Sequence, residues 1–284
     1  MQVLWLNTWS LPIITTNKHI NNIINYVLRL VKKNNVDVII LGELFDCFTR
    51  KTYISQLKSA LPKWIVLTLG HEKKWIGQQS SGLLVLYRRN GFWVGATKCH
   101  ILNNACMQDR FAAKSIIGLK IHPFCNKNSF WLFATHLQDA NAGFDKYCIN
   151  NTKLQLEECI KIANKWSLDT NLDYICLGDF NITPEQVIMH DKVKIFKSDI
   201  PSKKDTNEHL DYVIARENMA SDISVKSDDS DNNPSDHNPI ILTINRTTSQ
   251  KRVRINKIKN LPTISKLSYC IGLSLLFSCY YKYM

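Results

Sequence analysis

Three times in this sequence an apolar run meets residues able to move a proton or hold a cation. Tyr174-Ile175-Cys176-Leu177 leads into Gly178-Asp179-Phe180-Asn181. His209-Leu210 leads into Asp211-Tyr212-Val213, and Ser235-Asp236-His237-Asn238-Pro239 immediately precedes Ile240-Ile241-Leu242. Runs of this kind read as strands, so the polar residues fall at strand tips, where a rigid sheet positions reactive loops. Asp, Asn and Glu oxygens suit a hard cation such as Mg²⁺, and a histidine near an aspartate suits a general base.

Three further strand ends carry the same kinds of group. Glu43 follows Val36-Asp37-Val38-Ile39-Ile40-Leu41 and Gly42; Asn7 closes Val3–Leu6; His136 closes Phe130-Trp131-Leu132-Phe133-Ala134-Thr135. A carboxylate that ends an apolar strand must be solvated, paired or metal-bound. Taken singly each has an ordinary explanation: a strand-end Glu is usually solvated, and a lone His after an apolar run is usually structural. Their accumulation with Asp179, Asn181, Asp236 and His237 is what selects a site. His71, His100, His122 and His190 lack such company, and His209 reads as merely exposed.

The elements that must position these groups follow from hydrophobic spacing. Strands are expected at Val3–Leu6, Val36–Leu41, Trp64–Leu69, Gly82–Tyr87, Phe92–Thr97, Ser115–Ile121, Phe130–Thr135, Tyr174–Leu177, Leu210–Ile214, Ile223–Val225 and Ile240–Ile244. Helices are expected from about Asn17 to Lys33, Thr49 to Ala60 and Lys146 to Trp166. Strands outnumber helices, and helices separate hairpin-like pairs. That pattern fits two packed mixed sheets with helices outside, an α/β (α+β) four-layer sandwich, better than a strictly alternating parallel sheet.

The chain has 284 residues, with 45% hydrophobic content and a formal charge of +12. Such apolar content supplies a sizeable core and excludes a disordered protein. The charge is unevenly spread. From Arg246 onward there are eight Lys or Arg and no acid, which leaves 28 basic against 24 acidic residues in 1–245. The body is therefore nearly balanced and the basic excess belongs to the tail. Nine cysteines without a CxxC pair read as reduced thiols of an intracellular protein, not as a zinc site or disulfide framework. No signal peptide is expected at Met1–Asn7. Residues 1–245 read as a catalytic domain, 246–265 as a basic linker, and 266–284 as a hydrophobic segment. The uncharged run Leu267–Tyr281 lies between Lys266 and Lys282. As a helix it reaches roughly 22 Å against a hydrocarbon core of about 30 Å, so it either thins the bilayer or inserts shallowly. A C-terminal membrane anchor with the catalytic domain in the cytosol is the expectation.

Asn7, Glu43, Thr135-His136-Leu137-Gln138, Gly178-Asp179-Phe180-Asn181, Leu210-Asp211-Tyr212 and Ser235-Asp236-His237 together resemble the endonuclease/exonuclease/phosphatase superfamily, which includes deoxyribonuclease I. The resemblance runs in unbroken order over about residues 1–245. Within the superfamily it is most similar to neutral sphingomyelinases, through Met1–Trp9, Gln79-Ser80-Ser81-Gly82, Thr135–Gln138 and Asp109-Arg110-Phe111-Ala112-Ala113-Lys114. Ser115 stands where that group carries glycine after the lysine. Deadenylases and inositol-polyphosphate phosphatases carry comparable Thr-His or Ser-His pairs.

The resemblance implies a four-layer sandwich and Mg²⁺-dependent phosphodiester hydrolysis, with Mn²⁺ as a substitute. It implies Glu43, Asn7 and Asp236 as metal ligands and His237 as general base oriented by Asp211. Asp179 and Asn181 would position water and phosphate, while His136 and Lys114 would donate to phosphoryl oxygens. The expected substrate is membrane sphingomyelin, yielding ceramide and phosphocholine, with no obligate protein partner. A nuclease or deadenylase of the same superfamily is the alternative, and a degenerate membrane-tethered binding protein a weaker one. Nucleic acid enters as a ligand only under the nuclease reading. Lys73-Lys74-Trp75 is an example of a basic–aromatic stretch that would serve it, but it reads better as a solvated charged turn with one core Trp.

Overall fold

The computed structural model describes residues 1–10, 15–67, 81–103, 112–124, 128–139, 147–187 and 192–245. The linker and hydrophobic segment (246–284), Lys73-Lys74-Trp75, Gln79-Ser80, Asp109-Arg110-Phe111, His71 and His190 lie outside the described residues. Among the described residues no helix is long and apolar enough to cross a membrane.

The chain folds into two six-stranded sheets. The first orders its strands as β11 (Ile223–Ser227), β12 (Ile240–Ile244), β1 (Gln2–Asn7), β2 (Val38–Gly42), β4 (Leu84–Tyr87) and β3 (Ile65–Leu67). The second runs β5 (Phe92–Ile101), β6 (Ser115–Pro123), β7 (Phe130–His136), β8 (Asp173–Asp179), β10 (Asp211–Arg216) and β9 (Val193–Phe196). Both are mixed: β1 pairs parallel with β2 and antiparallel with β12, and β7 pairs parallel with β8 and antiparallel with β6.

The uninterrupted apolar runs follow from burial on both faces of each sheet. Alternate residues point opposite ways. Val3 and Trp5 of β1 enter a core between the sheets, with Ile117, Leu132, Ile175, Leu177 and Val213 from the second sheet. Leu4 and Leu6 face the other way, against Ile23, Val27 and Leu30 of α1 (Asn17–Asn34) and Tyr53 and Leu57 of α2 (Cys47–Ala60). On the second sheet Trp131, Phe133, Tyr174 and Cys176 meet Leu156, Cys159 and Ala163 of α3 (Tyr147–Thr170). The four layers are helix, sheet, sheet, helix, as expected from the strand and helix count.

Local chemistry sets the helix ends. Thr16 caps α1 through a hydrogen bond from His19 N at 3.2 Å, and Asp46 caps α2 by accepting from Thr49 N at 2.7 Å. Asn35 ends α1 in the left-handed conformation (φ 51°). Helix α3 runs four residues past the expected Trp166 and stops before Asn171, again left-handed at φ 50°.

Two strands differ from the expectation. β9 was not anticipated: it is a short edge strand with one exposed lysine, too brief to give a period-2 signal. β5 shifts register between Val94 and Ala96 and extends four residues beyond Thr97, where Lys98 lies over the Trp131 and Trp166 rings and His100 pairs with Glu158 of α3. All five cysteines in the described residues are free thiols; Cys148, Cys159 and Cys176 are buried and Cys47 is exposed.

Candidate active site

Strand register assembles the site before any side chain is considered. In the second sheet His136 pairs with Asp179 across β7 and β8, and Asp179 pairs with Asp211 across β8 and β10. Three residues far apart in sequence therefore form one row at the sheet's end. In the first sheet Asn7 pairs with Gly42, which brings Glu43 beside it. Gly178 allows the β7–β8 contact to close, since a Cβ there would lie 1.9 Å from the Thr135 carbonyl oxygen.

Two buried hydrogen bonds join the sheet ends. Asn7 Nδ2 donates to Asp179 Oδ2 at 2.9 Å, and Trp5 Nε1 donates to Asp211 Oδ1 at 2.6 Å. His237, just ahead of β12, completes the junction: its Nδ1 donates to Asp211 Oδ2 at 2.7 Å and lies 3.8 Å from Asp179 Oδ2. Both Asp211 oxygens are thus engaged, and the carboxylate is fully buried. Burial disfavours charge on His237, but the Asp211 carboxylate more than offsets this and pushes its pKa up to about 10. Asp179 moves up as well, through burial and then repulsion from Asp211.

Glu43 is different. Its Oε2 is buried with no hydrogen-bond donor in the structure, and Oε1 lies 3.9 Å from His136 Nε2. Burial raises its pKa, partly countered by the positive charge of His237. Its backbone is left-handed (φ 62°), a costly conformation for a glutamate and common where function fixes a side chain. Asn181 is also left-handed (φ 53°); its side chain donates to Leu137 O at 2.9 Å while its own N–H donates to Asp179 Oδ1.

His136 and Lys114 sit against this carboxylate group. Lys114 Nζ lies 3.4 Å from His136 Nε2, and His136 Nε2 is 3.8 Å from Asp179 Oδ2. Burial and the lysine charge hold the His136 pKa well below its ordinary value, so the ring is neutral. Both rest on Phe45, with the ammonium 4.9 Å from the ring centroid and the imidazole 5.7 Å away. Gly82, the glycine of the Ser-Ser-Gly motif, makes room for that ring. It has φ 72°, and a Cβ there would meet Phe45 Cε1 at 2.5 Å. Ser115 in place of glycine thus leaves Lys114 at the cluster.

The structure brings together Asn7, Glu43, Lys114, His136, Asp179, Asn181, Asp211 and His237. Asp236 is near enough to Glu43 and His237 for its charge to act on both, and it is itself ion-paired with Lys203. Three participants had no signal that singled them out. Trp5 looked like core, Phe45 like part of a loop, and Lys203 like one of two lysines in a turn. The spacing of Trp5 and Asn7, which puts both on one face of β1, was the readable hint.

A donor set of Glu43, Asn7 and Asp179 is all oxygen, which fits a hard divalent cation, and the undonated Glu43 oxygen is where such an ion is called for. Asp179, Asp211 and His237 also place ligand-type atoms within 4.8 Å of one another. There, however, the 2.7 Å His237–Asp211 contact is already a hydrogen bond.

The Endonuclease/Exonuclease/phosphatase family model matches residues 4–237. The chain belongs to that family. Endonuclease/exonuclease/phosphatase enzymes are hydrolases acting on phosphodiester bonds and generally use divalent metals. No curated protein matches the sequence. Among solved structures, beta toxin from Staphylococcus aureus superposes with a TM-score of 0.66 at 16% identity, covering 86% of this chain and 99% of that one. Sphingomyelinase C from Streptomyces griseocarneus gives 0.63 at 16% identity, covering 86% and 99%. TDP2 from Caenorhabditis elegans gives 0.63 at 16% identity, covering 86% and 74%. These likenesses establish the shared family fold.

Proposed function

We propose that this chain is a Mg²⁺-dependent phosphodiesterase that hydrolyses sphingomyelin to ceramide and phosphocholine. The observation that carries the phosphodiesterase chemistry is the pairing of an undonated buried Glu43 oxygen with a His237–Asp211 dyad in one cluster. Asp211 fixes the ring orientation and keeps the proton on Nδ1, so Nε2 is the atom that accepts a proton from the attacking water. Asn181 and Asp179, tied to each other through the Asn181 N–H, orient that water and the phosphate. Lys114 and His136 face the phosphoryl oxygens, where negative charge grows in the transition state. Glu43 and Asn7 would hold a divalent ion, which would supply positive charge toward the phosphate and against the carboxylates around His237.

The lipid assignment rests on charge distribution and on the Thr135-His136-Leu137-Gln138 motif. The body is nearly neutral, whereas the basic residues lie in 246–284 beside the uncharged run. The proposal therefore includes attachment of that segment to an intracellular membrane, with the catalytic domain on the cytosolic side. One observation favours the alternative, a nuclease of the same family. Trp9, two residues from Asn7, is 42% exposed, and an exposed aromatic beside a phosphodiester site is suited to stacking on a base. The purified protein with Mg²⁺ is to be assayed against sphingomyelin, a lysophospholipid and single-stranded DNA and RNA. Phosphocholine release from sphingomyelin is expected; cleavage of nucleic acid without lipid turnover overturns the lipid reading.

A further inference from the structure

Asp236, the aspartate beside the catalytic histidine, already holds a cation. Its Oδ2 is ion-paired with Lys203 Nζ, and both side chains are mostly shielded, at 23% and 20% exposure. The lysine is delivered by a loop stitched to the Asp236 turn. Lys204 N donates to Asp236 O at 3.1 Å, Lys204 Nζ donates to Asn233 O at 3.0 Å, and Asn238 N donates to Ser202 O at 2.6 Å. The same loop reaches the dyad, because Ser202 Oγ accepts from Asp211 N at 2.8 Å. Lys203 itself bridges to His237 through its backbone. The loop backbone thus fixes Lys203 beside the Asp236 turn, and the ammonium itself is held by its ion pair with Asp236.

The two neighbouring carboxylates thus contrast. Glu43 has a buried oxygen without any donor, and Asp236 has a fixed counter-charge. A divalent ion binding at Asp236 would have to displace the ammonium and leave it partly buried without a partner, which is unfavourable. We propose that the Lys203 ammonium takes, on Asp236, the place a second cation would occupy, so that the enzyme holds one divalent ion, at Glu43 and Asn7, without Asp236 among its ligands. This rests on the divalent-ion part of the phosphodiesterase reading and is independent of the substrate.

The test counts ions on the full-length protein by titrating Mn²⁺ and following the free-ion paramagnetic resonance signal, with thermal melts on every variant. The parent binds one Mn²⁺. Asp236→Asn keeps that stoichiometry and affinity, while Glu43→Gln weakens binding by about tenfold or more, the usual effect of losing a group in the metal environment. Lys203→Met admits a second, weaker ion that disappears in the Lys203→Met/Asp236→Asn double variant. The proposal is overturned if Asp236→Asn weakens Mn²⁺ as much as Glu43→Gln does, or if a folded Lys203→Met binds only one ion. Should Lys203→Met not fold, the Asp236→Asn titration decides alone. A parent that binds one ion in this way but leaves sphingomyelin intact keeps the Lys203 assignment and fails only the substrate reading; a parent that binds none overturns the divalent ion itself.

Discussion

Trp5 Nε1 donates to Asp211 Oδ1 at 2.6 Å, joining residues 206 positions apart on two different sheets. The indole occupies the oxygen that His237 does not use, so the carboxylate has one orientation and the imidazole is aimed by it. Trp5→Phe keeps an aromatic ring in the inter-sheet core but strands a buried carboxylate oxygen. The expected cost is about 1–3 kcal/mol of stability, measured by denaturant unfolding. Turnover should fall while remaining well above that of His237→Ala. Full activity in a folded Trp5→Phe protein rules out this orienting role.

Removing the metal-binding charge should stop the reaction with little loss of fold. Glu43→Gln retains side-chain volume at a strand end, so its melt should match the parent while hydrolysis is abolished. EDTA should inactivate the parent and Mg²⁺ restore it. Full turnover in EDTA disproves the metal requirement.

His237→Ala should slow turnover by about 10²–10⁴-fold, the scale of losing a general base. Asp211→Asn should cost less, and the double variant should be no slower than His237→Ala alone, as for residues working as one unit. Multiplicative losses in the double variant would separate the two roles.

The pH dependence of stability follows from the directions of the shifts. Asp179 and Glu43 have folded pKa values above their unfolded ones, so each holds a proton in the folded state that the unfolded chain has released. Their contribution to stability therefore falls as pH rises above about 4. His237 behaves alike in a higher window: its contribution is complete below its unfolded pKa and is lost as pH rises through about 10. Mg²⁺ binds the ionised carboxylates, so the rise in melting temperature on adding Mg²⁺ should grow from pH 5 to pH 7. A Mg²⁺ effect that is flat or shrinks over that range contradicts the site.

Fractionation tests the attachment proposal. The full chain should remain with membranes through a carbonate wash, whereas a 1–260 truncation should be released. Equal solubility of the two ends the anchor idea. Residues 1–245 should bind RNA or DNA weakly and without a steep salt dependence; tight, salt-sensitive binding supports the nuclease instead.

Strand ends, helix spans and the order of chemical residues were legible in the sequence because each is a local matter. An apolar run buried on both faces announces a strand, and an Asp or His at its tip announces what that strand delivers. Asp179, Asp211 and His237 were found this way, whereas the pairing of His237 with Asp211 came only through the family resemblance. What the sequence could not state is which tips meet. Register places His136, Asp179 and Asp211 in one row, and only the packing of one sheet on the other sets Trp5 against Asp211 and Asn7 against Asp179. The counter-charge on Asp236 was invisible for the same reason. Lys203 is 33 residues away, and a lysine in a turn reads as solvated until the loop that carries it is seen bonded to the Asp236 turn. Contacts set by distant register and loop packing leave no periodic trace in a single chain, so they were decided by tertiary structure alone.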